Sequence, residues 1–122
     1  MKRALFIGRW QPLHPGHQWL FNQKLERGVP ILIAVRDTPI DDSNPYSTDD
    51  VISNLEKEYS DEVKSGMVKV MGIPDIESVN YGRGVGYEIN EFVPPKDIGN
   101  ISATEIRKNL KKRKNSEIKA DP

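Results

Sequence analysis

The chain's two histidines, His14 and His17, stand three residues apart with Gly16 between them, just past the apolar run Ala4-Leu5-Phe6-Ile7 and the glycine Gly8. Side chains three apart on a helix point the same way, so both imidazoles can face one ligand. At a helix N-terminus they stand beside unpaired backbone N–H groups and the positive end of the dipole, which favours an anion and above all a phosphate. Gly16 leaves room for that phosphate to approach the main chain. A zinc site needs further ligands, and a chain with no cysteine and no third histidine offers poor support for one.

The elements that must position this pair follow from periodicity. Residues 3–7 have the length and composition of a strand buried on both faces of a parallel sheet, and Gly8 ends it where backbone must come close to something else. A helix is expected over 15–27, with Pro15 suited to its first position, Trp19, Leu20 and Leu25 on one side, and Gly28 as its stop. A second strand is expected over 30–35, then a polar loop over 36–47. A helix over 48–59 follows, N-capped by Ser47 with Val51, Ile52 and Leu55 inward. Further strands are expected over 67–71, 78–81 and 87–92, and a last helix after Ser102. This alternation predicts an α/β fold: a single domain over 1–110 with a Rossmann-like parallel five-stranded sheet and helices on both faces. Ligands of such sheets bind at the carboxyl ends of the strands, where Gly8, Arg36 and Gly82 are expected to gather.

The segment resembles the His-x-Gly-His signature of the nucleotidyltransferase superfamily of adenylyl- and cytidylyltransferases, read here as Gly8, His14, Gly16 and His17. A second family element, Ile-Ser-x-Thr-x-Ile-Arg, is matched by Ile101-Ser102-Ala103-Thr104-Glu105-Ile106-Arg107. Together the two span roughly residues 3–110. Arg9 and Trp10 resemble the Gly-Arg-Phe-Gln-Pro opening of nicotinamide mononucleotide adenylyltransferases, with tryptophan in place of phenylalanine. They differ from the Gly-Thr-Phe-Asp opening of cytidylyltransferases. Asn44-Pro45-Tyr46-Ser47 is similar to an Asn-Pro-Phe-Thr element of some adenylyltransferases, and it also reads as a turn and N-cap.

The resemblance implies nucleotidyl transfer, with AMP from ATP favoured, onto a phosphate-bearing small molecule with release of pyrophosphate. A CTP-dependent, glycerol-3-phosphate cytidylyltransferase-like activity and a nucleotide-binding module without turnover are the alternatives. Positioning and positive electrostatics carry such a reaction, with no protein nucleophile. The expected catalytic residues are His14, His17 and Arg107, and the expected nucleotide contacts are Gly8, Arg9, Trp10, Gly16, Gly82, Arg83, Ile101, Ser102 and Thr104. For Trp10, packing is the stronger reading. Mg²⁺ is expected with the triphosphate, held by phosphates and water, with Asp37, Asp41 and Asp42 as marginal contributors and no dedicated protein metal site. Ser102 to Glu105 also has the spacing of a capping box, which accounts for Ser102 and Glu105 but not Arg107. The glycines and arginine of 82–86 miss the dinucleotide fingerprint and read as a mobile loop or a contact to base or ribose. The stretch 81–87 is too short for a crossover helix, so the acceptor pocket is expected to be truncated or completed in a homo-oligomer.

Composition narrows the partners. Lys plus Arg and Asp plus Glu number 18 each, so no excess positive charge drives nonspecific nucleic-acid binding. No run approaches the roughly 20 apolar residues of a membrane span, and residues 1–3 lead into a strand rather than a secretory apolar region, so a cytoplasmic protein is expected. The basic stretch of the tail over 111–122 reads as a solvated cationic helix end.

Overall fold

The computed structural model describes residues 2–84 and 86–95. Its elements run β1 (Ala4–Gly8), α1 (Pro15–Leu25), β2 (Ile31–Asp37), α2 (Thr48–Glu58), α3 (Ser60–Ser65) and β3 (Val68–Pro74). The three strands form a parallel sheet in the order β1-β2-β3, with Ala4 opposite Ile31 and Ile31 opposite Val68. Parallel neighbours require crossover connections, which α1 and the α2–α3 pair supply.

Alternate residues of the strands build the core. Phe6, Ile31, Ile33, Val35 and Val68 face Phe21 of α1, Val51 and Leu55 of α2, and Tyr59 at the α2–α3 junction. Phe21 is fully buried, worth about 1.5–3 kcal/mol over an exposed side chain. It meets the rings of Phe6, Trp10 and Tyr59 at 5.3, 4.9 and 5.9 Å. Trp19, expected on the inner side of α1, is outside this cluster. The inner stripe runs through Leu20 and Leu25 as expected, with Phe21 rather than Trp19 completing it.

Both crossovers step the same way along the sheet, so crossovers of one hand lie on one face. Among the described residues the helices pack on one face; the last helix of the expected two-faced arrangement falls outside the described residues. The other face carries Leu5 and Met71, 55% and 42% exposed. Two expected strands are also absent, since 78–81 and 87–92 have no strand structure. Val79, Tyr81, Tyr87 and Ile89 there are exposed. An apolar alternation becomes a strand only when its backbone groups find a paired neighbour, and neither segment joins the sheet. No helix among the described residues is long and apolar enough to cross a membrane.

Candidate functional site at the head of the first helix

All three strands run the same way, so the loops after β1 and β2 and the N-termini of α1 and α2 share one rim of the sheet. The rim is built from Gly8 upward. A Cβ on Gly8 would lie 2.9 Å from Cε2 and Cζ2 of Trp10, so the close approach that requires glycine is to an indole. Trp10 has a left-handed backbone, φ 54°, which turns its ring inward over Gly8. Its Nε1 donates to the carbonyl of Ala34 at 3.1 Å, and its ring meets the His17 ring edge-on at 4.9 Å. The buried Trp10 ring therefore supports His17 from below, and its one polar atom is occupied by the sheet.

His14 and His17 are stacked, with centroids 3.7 Å apart and planes inclined by 26°. His14 is the N-cap of α1, and its Nδ1 accepts the Gly16 amide at 3.0 Å. A ring nitrogen that accepts carries no hydrogen, so the His14 proton sits on Nε2. The expectation of unpaired main-chain donors here needs correction. Pro15 has no N–H, Gly16 donates to the His14 ring, and the amides of His17 and Gln18 both donate to the His14 carbonyl at 2.9 and 3.1 Å. Gly16 thus serves the cap, and the helix offers a ligand its dipole and its imidazoles. No acid stands in the first turn of α1, so that dipole is not offset locally.

Arg9 lies one residue before Trp10, and its Nη1 donates to Asn44 Oδ1 at 3.0 Å. Gln11 Oε1 accepts the Tyr46 amide at 3.0 Å. These two bonds fasten the loop after β1 to the loop after β2. Gln11, Asn44 and the Ala34 carbonyl went unmarked in the sequence as site residues. The first two did lie in stretches with a family-like pattern, Gly8-Arg9-Trp10-Gln11-Pro12 and Asn44-Pro45-Tyr46-Ser47, but nothing local showed that their side chains would tie the two loops together.

The other expected contributors fall elsewhere. Arg36, expected just beyond the second strand, is inside β2, and its guanidinium pairs with Asp75 at 2.8 Å. Gly82 and Arg83 follow no strand. They line a separate surface hollow of about 530 Å³ with Tyr81, Tyr87 and Glu88, to which the histidine loop contributes nothing. Ile101, Ser102, Thr104 and Arg107, the last helix and the basic tail lie outside the described residues, as does Val85. Among the described residues no group of three or more His, Cys, Asp or Glu side chains is placed to hold a metal. Asp37 Oδ1 accepts the Thr48 hydroxyl at 2.8 Å, and Asp41 Oδ1 accepts three N–H groups from Ser43 and Asn44.

Comparison with protein-family models, curated proteins and solved structures finds no match to this chain.

Proposed function

We propose that this chain is a nucleotidyltransferase that moves a nucleoside monophosphate, AMP from ATP by preference, onto a phosphate-bearing small molecule. The observation that carries the reading is the stacked His14–His17 pair at the head of an acid-free helix, on the rim where the parallel strands end. The resemblance of the first and last motifs to nucleotidyltransferases supports it, and the Gly-Arg-x-Gln-Pro opening favours an adenylyl group.

In this reading an oxygen of the acceptor phosphate attacks the α-phosphorus, the bond from that phosphorus to the bridging oxygen breaks, and pyrophosphate departs with the bonding electrons. Charge builds on phosphoryl oxygens, so the useful protein groups are fixed donors. His14 donates through Nε2–H, and His17, held against Trp10, donates beside it. Arg9 adds positive charge. Arg107, Ser102 and Thr104 would meet the β- and γ-phosphates from the second motif. An ionised acceptor needs no base, which agrees with a His14 ring whose other nitrogen is engaged in capping. Mg²⁺ would enter on the phosphates, since the nearby carboxylates Asp37 and Asp41 are engaged in hydrogen bonds.

The test is pyrophosphate release from ATP, CTP, GTP and UTP with Mg²⁺ and a panel of phosphorylated acceptors. One donor–acceptor pair is expected to turn over, and His17→Ala to lower that rate by about 10²–10³-fold, the usual cost of one transition-state donor, with the fold retained. Release that survives His17→Ala removes the proposed site. A rise in melting temperature with a triphosphate but no release from any pair identifies a binding module instead.

A further inference from the structure

Two arginines at the strand ends are held in opposite ways. The Arg36 guanidinium lies against a carboxylate, Asp75, through Nε and Nη2 at 3.2 and 2.8 Å, so its charge is answered directly. Arg9 is held by a neutral acceptor, Asn44 Oδ1, and pairs with no carboxylate among the described residues. Asn44 is itself 7% exposed and bonded at both ends of its carboxamide, since Nδ2 donates to Asp41 Oδ1 at 3.2 Å. That orientation is fixed by charge: a flipped amide would turn its NH₂ toward the guanidinium and its oxygen toward the carboxylate. Asp41 is locked in turn, its Oδ1 accepting the Ser43 and Asn44 amides at 2.9 and 2.8 Å and its main chain exchanging two hydrogen bonds with Asn44. The buried Gln11 fastens the same two loops together two residues further along each, accepting the Tyr46 amide.

We infer that Asp41 and Asn44 are positioning residues that aim the Arg9 guanidinium while keeping it out of a direct ion pair, so that its positive charge serves a phosphate group of the ligand at the histidine pair. The inference rests on the nucleotide reading of that site. A carboxylate touching Arg9 would orient it equally well and cancel its charge. An amide interposed between Asp41 and Arg9 transmits the orientation while holding the carboxylate one group further off, where it offsets less of the charge, and polarisation along the chain strengthens both bonds.

The distinction is read by calorimetric titration of Mg·ATP, and of pyrophosphate alone, into the wild type and four variants. Asn44→Ala is expected to weaken both ligands about tenfold, in line with loss of a charge-assisted contact. Arg9→Ala should do the same, and Asn44→Ala added to Arg9→Ala should have no further effect, because the amide acts only through the guanidinium. Asn44→Asp can still accept from Arg9 but places a carboxylate on it. It is expected to bind both anions at least as weakly as Asn44→Ala, a result that a purely structural role for Asn44 would not give. If Asn44→Asp binds like the wild type, or the Arg9 and Asn44 effects simply multiply, the inference is overturned and the nucleotide reading stands. If the wild type binds neither ligand, the nucleotide reading fails and the inference goes with it.

Discussion

The helices α1 and α2 begin on the same rim of the sheet, yet their N-termini are prepared for opposite company. α1 is capped by an imidazole, has Pro15 and Gly16 as its first residues, and has no acid in its first turn. α2 is capped by the Ser47 hydroxyl, which accepts the Asp50 amide at 3.1 Å, and carries Asp49 and Asp50 in its first turn. Carboxylates there stabilise the helix by answering its dipole, and by the same charge they repel an approaching phosphate. One helix end is thus finished as structure and the other is left electrostatically open. Two neighbouring helix ends on one sheet edge differ in capping and charge through three or four side chains.

The largest effect expected from disturbing this contrast comes at the α1 cap. His14→Asn keeps an N-capping side chain but removes the ring, so the proposed nucleotidyl transfer should fall about 10²–10³-fold. Its loss of melting temperature should be smaller than that of His14→Ala, and transfer at wild-type rate in His14→Asn would show that the ring only caps. Beneath the pair, Gly8→Ala drives a methyl into a buried indole and should cost about 1–3 kcal/mol in denaturant unfolding. It should also weaken ATP binding, because the ring that supports His17 must shift. Ser47→Ala is the matching change at α2: about 1 kcal/mol of stability lost by the same assay, with ATP affinity unmoved.

Changes in charge at the two helix ends are expected to have smaller effects. Pro15 is exposed at the start of α1, and Pro15→Glu gives that end the acid it lacks. The helix should tolerate or gain from it, while pyrophosphate affinity falls roughly two- to fivefold, the size of a dipole-end charge effect. Asp50→Asn should leave that affinity where it was. At the far end of α2, burial, with added repulsion from Glu58 and Glu62, pushes the Tyr59 phenol up to about 12 from its ordinary 10.0. The folded form therefore holds that proton more tightly than the unfolded chain. Stability is unaffected by this group below pH 10 and declines as pH rises from 10 toward 12. Thermal melts across that range should show the decline in the wild type and a shallower one in Tyr59→Phe.

Much of the first 74 residues was legible in sequence because each signal there is local and reinforced. The unbroken Ile31 to Val35 run names a buried strand, Pro15 and Gly28 bracket a helix, and Ser47 caps the next. On α1, Leu20 and Leu25 turn inward as their spacing indicates, but Trp19 offers the same apolar signal as Phe21, and only the position of the sheet decides which of those two is buried. The helix α3 gave no periodic signal of its own, being six residues long and without a buried side chain. For residues 78–81 and 87–92 apolar alternation was present and pairing was not, and alternation carries no information about whether a sheet edge is within reach.

That two imidazoles meet at a strand-to-helix junction follows from local pattern, since helical spacing and the break after Gly8 are properties of a few consecutive residues. How that junction is finished depends on contacts between distant segments. The indole of Trp10 reaches Ala34 on the neighbouring strand, and the loop after β2 closes over Arg9 through Asn44. Those contacts join residues 24 and 35 positions apart. Side chains that distant meet because parallel pairing of β1 and β2 brings both loops to one edge, a consequence of register rather than of any local pattern.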